Sequence, residues 1–402
     1  MTNIRHLCYL CYMKKLFLAL CLLVVIASCN TPKSEYRVCA YVWPSCHDDS
    51  LAREWIWADG EGEWEVIRKG NPRFEGHYQP KRPLWGYGHD DDPEVVEKWI
   101  QTALEYGVNT FVYDWYWYNA PGGYSGPYLE NALNNGFLKA PSNKKMDFYL
   151  MYANHDVKYS YWNYHKWGAQ ADSLLFNPRV GMEDWKKIVN RVITQYFHLP
   201  NYAKIKGCPI FAIFSITTFK QGFSSDEEAA EAMAYFRAEV KKAGFPDLWL
   251  QVTPGDANSI ANKNPDKMNH DIQNLGINSI ACYNMGGFTP DYAEQCAKSV
   301  ALRHQIDSTY DIPVFPTVSI GWDDSPRFPH KKAEHITHIN HSPEVFEQYL
   351  RTAKEYADAH ADTQPKMIMI NAWNEWIEGS YLLPDEVWGY AWLEAVKNVF
   401  GD

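Results

Sequence analysis

Short runs of β-branched and other apolar residues recur along the chain, and longer segments with helical periodicity separate them. Runs of this length, bounded by polar residues, predict buried strands, whereas apolar residues at every third or fourth position predict amphipathic helices. The predicted strands are Val38 to Val42, Thr110 to Tyr113, Phe148 to Met151, Ile210 to Phe214, Trp249 to Val252, Ser279 to Cys282, Val314 to Ser319 and Met367 to Asn371.

One helical segment is bounded by clear start and stop signals. Asp92 is a helix-capping residue type, Pro93 follows at the first helical position, and Glu94 makes the first turn acidic. Gly107 is a fitting C-terminal cap for the same segment. Similar periodicity predicts further helices over Glu183 to Phe197, Asp226 to Ala243, Tyr292 to His304, Pro343 to Ala357 and Val387 to Phe400.

The alternation of eight strands with helices predicts one α/β domain, a (β/α)8 TIM barrel with long βα loops, over residues 36–402. We find no linker rich in Ser, Gly or Pro and no repeat that would divide this region. A doubly wound open sheet is the alternative. It is less favoured because no GxGxxG motif follows an early strand to form a phosphate-binding turn.

The first 28 residues have the pattern of a secretory signal peptide. Lys14 and Lys15 precede an unbroken apolar run from Leu16 to Ala27. This run has the length of a signal-peptide core and is shorter than the roughly 20 residues that span a bilayer as a helix. Met13 directly precedes the two lysines and is a possible true start of the chain.

The end of this segment resembles a bacterial lipobox. Ile26, Ala27 and Ser28 precede Cys29, so we expect cleavage before Cys29 and lipidation of its sulfur. Residues 29–35 would form a short tether, and a plain signal anchor is the alternative. The sequence therefore predicts an exported protein, lipid-anchored in the cell envelope of a Gram-negative-type bacterium, in the outer membrane and facing either the periplasm or the cell surface.

Composition narrows the range of partners. The chain is 15% aromatic and carries a formal net charge of −11. An acidic chain without basic blocks is poorly suited to nucleic acid, so we expect no nucleic-acid partner and no membrane contact besides the lipid anchor. Five cysteines follow Cys29, and this odd number leaves at least one thiol unpaired.

The residues at the carboxyl ends of the predicted strands are polar and aromatic, and in such barrels the active site lies at this end. Rings and carboxylates together suit a sugar, whose C–H faces stack on rings and whose hydroxyls bond to charged oxygens. For any single ring, packing beneath a loop is the alternative. The predicted substrate-binding residues are Tyr41, Trp43, Asp114, Trp115, Tyr116, Asn154, His155, Tyr283, Trp322, Asp323, Trp373 and Asn374.

Glu375 and Glu378 follow the eighth strand, and their spacing places them on one face of a turn. Cleavage of a glycosidic bond needs such a pair, one carboxyl protonated as acid and the other ionised as base or nucleophile. Trp373 and Trp376 would exclude water and separate the two pKa values. The alternative is a surface helix start with Glu in its first turn.

Other chemistries have weaker support. No GxSxG motif marks a serine nucleophile, and no local signature supports a Cys–His mechanism. His335, His338 and His341 recur every third residue after His330 and would permit a metal site, but a polar loop is favoured. We therefore expect no metal, no cofactor and no nucleotide, and an oligo- or polysaccharide as the partner.

Several motifs together resemble a known group. The stretches are Gly76 to Pro80, Pro83 to Tyr87, Gly321 to Arg327 and Ala372 to Gly379, continued by Leu383 to Asp385. They resemble the WbsX-type group, which is similar to glycoside hydrolase family 99, the endo-α-mannosidase family of (β/α)8 barrels. The resemblance covers nearly the whole mature chain, and NEWxEG is its most specific element.

The resemblance implies a role for each glutamate. Glu375 would deprotonate the substrate's own 2-hydroxyl, giving a 1,2-anhydro sugar, and Glu378 would serve as acid and then base for the leaving group and water. WbsX-type sequences often carry Tyr and Phe after strand two and Asn-Glu after strand three. This chain instead has Asp114 to Tyr118 and Asn154 to Asp156, departures that bear on the substrate rather than the fold.

These observations favour an exported glycoside hydrolase that cleaves an α-linked, mannose-like glycan with retention. A glycosyltransferase of the O-antigen type is one alternative, since WbsX-type proteins are linked by name to O-antigen assembly. A non-catalytic glycan-binding lipoprotein is the other, and it would use the aromatic rim without the carboxyl pair.

Overall fold

A computed structural model describes residues 35–167, 172–329 and 337–401. From Arg37 onward the chain forms one unit, built on eight parallel strands. Each strand hydrogen-bonds to the next, and β8 pairs with β1, so the sheet closes into a barrel. The strands are β1 (Arg37–Val42), β2 (Thr110–Ala120), β3 (Asp147–Tyr152), β4 (Cys208–Ile213), β5 (Trp249–Val252), β6 (Ser279–Ala281), β7 (Val314–Phe315 with Thr317–Ser319) and β8 (Met367–Asn371). The predicted (β/α)8 barrel is confirmed.

Strand β7 closes the barrel in two pieces on either side of Pro316. Its first piece pairs with β6, where Val314 lies opposite Ile280, and its second pairs with β8, where Thr317 lies opposite Met369. Proline has no N–H to donate to a ladder, which explains the interruption. The carbonyl of Pro316 still accepts a hydrogen bond from the Met369 N–H at 2.9 Å.

Helices and short secondary elements occupy the connections between the strands. The longer helices are Pro93–Glu105, Met182–Val192, Asp226–Lys242, Pro265–Leu275, Tyr292–Thr309, Pro343–Ala359 and Ala391–Phe400. The shorter ones are Ser50–Trp55, Trp64–Ile67, Tyr159–Trp167, Ile216–Lys220 and Ala257–Ala261. Single 3₁₀ or π turns are Pro121–Gly123, Ala132–Gly136, Phe137–Lys139, Asn143–Lys145, Ile193–Phe197 and Trp376–Glu378.

Short strands add small ladders at the ends of the barrel. Tyr124–Tyr128 pairs with the extended end of β2, and Lys204–Ile205 pairs with the start of β4. Two further pairs stand apart from the barrel sheet: Val157–Lys158 with Leu174–Phe176, and Asn374–Glu375 with Ser380–Tyr381. Strand β2 therefore continues well beyond its predicted end at Tyr113.

Helix boundaries follow local signals closely. The Asp92 carboxylate accepts a hydrogen bond from the Glu94 N–H at 2.8 Å, so the predicted cap is confirmed. The helix predicted from Val387 begins only at Ala391, because the Asp385 carboxylate holds the N–H groups of Val387 and Trp388 in a preceding turn. The predictions missed the helix Pro265–Leu275, although Asn264 caps it in the same way.

Some predictions concern residues that the structure does not describe. The signal peptide, the lipobox with Cys29 and all of the tether except Glu35 lie outside the described residues. No helix within the described ranges is long and apolar enough to cross a membrane. The five cysteines after Cys29 are all unpaired, and Cys39, Cys46, Cys282 and Cys296 are buried.

Candidate active site

A cavity of about 260 Å³ lies at the carboxyl ends of the barrel strands. Strand ends and βα loops supply its wall, which is where barrel proteins place their binding groups. Its lining combines aromatic rings with carboxyl groups and contains one arginine. The lining residues are Trp43, Asp114, Tyr116, Met151, Ala153, His155, Trp162, Phe214, Gly255, Asp256, Tyr283, Asn284, Trp322, Arg327, Glu375 and Glu378.

The structure separates the predicted site residues into two groups. Those that line the cavity are Trp43, Asp114, Tyr116, His155, Tyr283, Trp322, Glu375 and Glu378. Those that lie behind its wall are Tyr41, Trp115, Asn154, Asp323, Trp373 and Asn374, all of them buried. Successive side chains of an extended segment point to opposite sides, which explains why Asp114 and Tyr116 face the cavity and Trp115 between them does not.

Two of the residues behind the wall, Asn374 and Asn154, hold backbone segments in place with their side-chain amides. The Asn374 carboxamide accepts from the Trp43 N–H at 2.8 Å and donates to the Trp43 carbonyl at 2.7 Å, so it fixes the backbone of a ring that faces the cavity. Asn154 bonds both the N–H and the carbonyl of Ser215 at 2.8 Å. Their amide groups are thus occupied by backbone and do not serve as the predicted contacts to substrate.

The tryptophans beside the glutamates face away from the cavity. Trp373 has no exposed surface and its ring lies against Trp99 of the helix Pro93–Glu105. Trp376 stacks on Tyr381, with ring centroids 3.8 Å apart. The expectation that Trp373 and Trp376 dry the site directly is therefore corrected, because these rings support the turn from behind. Trp115 also points away and donates its Nε1–H to Glu130 at 2.7 Å.

Arg327 joins three carboxyl groups, of which Glu63 and Glu375 are buried and Glu378 is partly buried. Its Nη1 donates to Glu378 Oε1 at 2.8 Å, and its Nη2 lies 3.3 Å from Glu63 Oε1 and 3.7 Å from Glu375 Oε1. Glu63 also accepts from Trp43 Nε1 at 2.5 Å. The planar guanidinium can contact several carboxylates at once, so one cation holds the cluster together.

Burial raises the pKa of both candidate catalytic carboxyls. The pKa of Glu375 lies well above its usual range because of burial and the nearby charge of Glu378, and Arg327 opposes this shift. Burial also raises the pKa of Glu378, to about 7, against the lowering effect of Arg327. A carboxyl with a pKa of about 7, as Glu378 has, is suited to exchanging protons near pH 7.

Tyr283 lies between two more of these groups. Its hydroxyl is 3.0 Å from Asp114 Oδ2 and 3.1 Å from Glu375 Oε2. Because it has one proton to donate, the arrangement is satisfied when one carboxyl is neutral and donates to the phenol oxygen. Burial raises the pKa of both Asp114 and Glu375 well above their usual ranges, so the hydrogen-bond network has two forms. In the form with Asp114 neutral, the Tyr283 proton points to Glu375. Tyr41 supports the Tyr283 ring from below, with centroids 4.7 Å apart.

Comparison with known protein families identifies the family of this chain. The profile of the family described as Glycosyltransferase WbsX matches residues 38–396. This chain belongs to the WbsX family. The resemblance predicted from the sequence motifs is therefore confirmed.

The curated relatives are themselves uncharacterised. The protein WxcX of Xanthomonas campestris pv. campestris is 25% identical to this WbsX-family chain over 368 residues, which cover 89% of this chain and 49% of WxcX. The same values hold for WxcX of a second strain. This chain thus spans about half the length of the curated relatives it matches.

Solved structures share the barrel. The endo-α-mannosidase of glycoside hydrolase family 99 from Bacteroides thetaiotaomicron superposes with a TM-score of 0.59 at 14% identity, covering 90% of this chain and 96% of the mannosidase. A protein described as glycoside hydrolase-like gives a TM-score of 0.57 at 11% identity, covering 93% and 96%. At these identities the likeness establishes a glycosidase-like fold for the WbsX-family protein.

Sequence reasoning missed several residues of the site, among them Arg327, Glu63 and Trp162. Arg327 stands inside the motif Gly321 to Arg327, but nothing in the motif assigned it a contact. Glu63 directly precedes the short helix Trp64–Ile67, and Trp162 lies in the helix Tyr159–Trp167, two elements that the sequence analysis did not predict. The one available signal was Gly62, whose φ is 61° and where an added Cβ would lie 2.1 Å from the Ser45 carbonyl oxygen. Such a close approach fixes the loop that carries Glu63.

Asp323 joins loops instead of binding in the cavity. Its carboxylate contacts His77 Nε2 at 3.0 Å, Gln79 Nε2 at 2.7 Å and Lys81 Nζ at 3.2 Å. Burial opposes its ionisation, but the charge of Lys81 and the bond from His77 outweigh this and hold the pKa of Asp323 well below its usual range. Its N–H donates to the Glu378 carbonyl at 2.6 Å, so Asp323 connects the loops after β1, β7 and β8.

The turn that carries the glutamates requires glycine at its end. Residues Trp376–Glu378 form a 3₁₀ turn, and Gly379 follows with φ of 64°. A Cβ at Gly379 would lie 2.7 Å from the Cβ of Asp323. Both the left-handed backbone and the close approach therefore demand glycine here, which explains the end of the NEWxEG motif.

The histidines considered as metal ligands are engaged with rings. His338 stacks on Phe288 and His341 stacks on Trp392, while His330 and His335 lie outside the described residues. In another grouping, Asp226, His270 and Asp271, the Lys220 ammonium lies 2.7 Å from both carboxylates and compensates one of their two charges.

Proposed function

We propose that this WbsX-family protein is a glycoside hydrolase that cleaves an α-linked, mannose-like glycan with retention. One observation carries the proposal: Glu375, which is buried, and Glu378, which is partly buried, line the same aromatic cavity and both have raised pKa values. Two carboxyls facing one cleft, able to divide acid and base roles, are what glycosidic cleavage requires.

The proposed reaction has two steps. Glu375 accepts the proton of the 2-hydroxyl, whose oxygen attacks the anomeric carbon, while Glu378 gives its proton to the departing glycosidic oxygen. A water then attacks the anomeric carbon of the 1,2-anhydro sugar and gives a proton to Glu378, and the proton on Glu375 returns to the 2-oxygen. In the form of the network with Asp114 neutral, the Tyr283 hydroxyl donates to Glu375 and supports the ionised state that the first step needs.

A glycosyltransferase is the second candidate, and the family description favours it. The charge of the cavity disfavours a nucleotide-sugar donor. Its described wall carries Asp114, Asp256, Glu375 and Glu378, and its one arginine, Arg327, already contacts Glu378. A diphosphate would face several carboxyl groups and a single described guanidinium that is already engaged. The predicted export signal would also separate the protein from nucleotide sugars.

The test is a panel of glycans incubated with the chain from Lys33 onward. The wild type is expected to release new reducing ends from an α-mannan or a related glycan, and NMR is expected to show the α-anomer first. Glu375→Gln and Glu378→Gln are expected to release them at least about 10²-fold more slowly. Glu386→Gln is the matched control, since Glu386 is exposed and its side chain pairs only loosely with Arg82 at 3.6 Å.

Three outcomes are distinguishable in this panel. Cleavage by the wild type and the control at rates far above those of both glutamate variants supports the hydrolase. Binding of one glycan without cleavage supports a non-catalytic binding protein instead. Transfer of a sugar from a nucleotide donor, absent in both glutamate variants, would support the transferase.

The Tyr283 hydroxyl offers a narrower prediction. Tyr283→Phe removes the proton donated to Glu375, so the ionised base is less stable and its pKa rises further. The acidic limb of the kcat/KM profile is therefore expected to move to higher pH, because the base must be ionised to act. Measurement of kcat/KM from pH 4 to pH 9 checks this. An unmoved acidic limb would show that Tyr283 does not act on the base.

A further inference from the structure

A second cavity adjoins the one that holds the two glutamates. It measures about 290 Å³ and shares three wall residues with the first, Asp256, Asn284 and Trp322. The rest of its wall comes from the loop after β6, from Gln295 of the helix Tyr292–Thr309 and from the region after β7. The loop after β6 supplies Met285, Gly286, Gly287 and Phe288, and the region after β7 supplies Asp324 and His338. Trp322 is half-buried and contributes to both cavities.

Hydrogen bonds fix the loop that forms this second wall. Gln295 donates to the Gly286 carbonyl at 2.9 Å and accepts from the Thr289 N–H at 2.6 Å. Ser299 donates to the Met285 carbonyl at 2.8 Å. The loop is thus held by side chains of the helix Tyr292–Thr309, and the cavity is formed in advance of any ligand, as binding sites for small molecules usually are.

His338 gives the second cavity unsatisfied polar groups. The side chain is buried, and neither ring nitrogen has a hydrogen-bond partner within the described chain. Burial lowers the pKa of His338 to about 4, so the ring is neutral at pH 7 and offers one donor and one acceptor. Buried polar atoms are normally paired, so these two nitrogens call for a ligand with hydroxyl groups.

The same wall also has an exposed ring. Phe288 is 38% exposed and stacks on His338 with centroids 5.1 Å apart and planes at 9°. An exposed ring next to polar atoms matches one sugar unit, which has an apolar C–H face and hydroxyls at its edge. Trp322 supplies a further ring at the boundary with the first cavity.

We propose that the second cavity binds a neutral sugar unit of the same glycan, next to the unit held between Glu375 and Glu378. The substrate is then an oligosaccharide with at least two sugar units across Trp322. This inference rests on the proposed hydrolase function and adds the size of its substrate. His338 and Phe288 are the residues that distinguish the second unit.

The experiment compares two lengths of the glycan that the panel identifies, one with and one without the extra unit. His338→Ala and Phe288→Ala are expected to raise KM for the longer substrate about 3- to 10-fold, the loss of a hydrogen bond or a ring contact, with little change in kcat. KM for the shorter substrate is expected to stay constant. Ile339→Ala is the matched control, since Ile339 adjoins His338, is 51% exposed and lines neither cavity.

The possible results separate this proposal from the function on which it rests. Equal changes in KM for both lengths, or none, overturn the second cavity as a sugar site while the hydrolase stands. If the wild type cleaves no glycan, the proposed hydrolase function is rejected. Calorimetric measurement of the affinity for the longer and the shorter glycan then tests the second cavity by itself. A longer glycan that binds no more tightly than the shorter one would overturn the second site in that case.

Discussion

Glu378→Gln is expected to lower kcat on the natural glycan by about 10²- to 10⁴-fold, the usual contribution of general acid catalysis. The amide keeps the shape of the side chain and its contact with Arg327 but has no proton to give to the leaving oxygen. In the wild type the pKa of Glu378 is raised to about 7, so the acid is protonated below pH 7 and activity falls as the pH rises through that value. This alkaline limb of kcat/KM is expected to disappear in the variant.

The leaving group provides the control for this role. An aryl glycoside with an acidic phenol needs no proton to depart, so Glu378→Gln is expected to lose far less activity on it than on the glycan. Glu375→Gln is expected to lose activity on both substrates, since the 2-hydroxyl must be deprotonated in each. The opposite pattern would exchange the roles of Glu375 and Glu378, and near wild-type turnover on the glycan would exclude Glu378 as the acid.

Arg327→Met is expected to lower the free energy of unfolding by about 3–5 kcal/mol, the usual cost of removing one partner from a buried ionic cluster. Glu63, Glu375 and Glu378 would then share a buried space without their cation. Urea unfolding followed by tryptophan fluorescence measures the loss. Arg327→Lys keeps the charge and loses the planar fork, so it is expected to fall between Arg327→Met and the wild type.

The loss is also expected to depend on pH. Arg327 lowers the pKa of each of the three carboxyls, so its removal raises folded-state pKa values that already exceed those of the unfolded chain. A carboxyl whose pKa is higher in the folded than in the unfolded protein stabilises the fold most when it is protonated. The protein therefore loses stability as the pH rises from the pKa in the unfolded chain, near 4, toward the pKa in the folded protein. The variant should therefore lose more stability at pH 8 than at pH 5. Equal losses at both values would contradict the ionic cluster.

The barrel could be predicted from the sequence because each strand or helix is marked by residues that are close together in the chain. Each strand is a short apolar run, and caps such as Asp92 depend on residues two or three positions away. The end of β2 was not accessible in this way, because its extension to Ala120 depends on pairing with Tyr124–Tyr128. The interruption of β7 has a local cause instead, because Pro316 alone lacks the N–H that a continuous ladder needs.

The candidate site could be predicted only in part, because it depends on side-chain orientations and on contacts between residues that are distant in the chain. The three-residue spacing of Glu375 and Glu378 predicted that they share one face of a turn, and the structure places both in one cavity. Which neighbours also face the cavity depends on the orientation of each strand end, so Trp373 and Asn374 were assigned to the wrong side of the wall. Contacts such as that of Arg327 with Glu63, 264 positions apart, leave no trace in spacing.

The Asp323 junction has a consequence for engineering this barrel. Loop exchange usually treats each βα loop as an independent module, but here one carboxylate and one N–H tie three of them together. A transplanted loop after β7 that lacks Asp323 would free Lys81 and release the turn below Glu378. Specificity in this protein would therefore be redesigned by moving the three loops as one cassette, with Gly379 included.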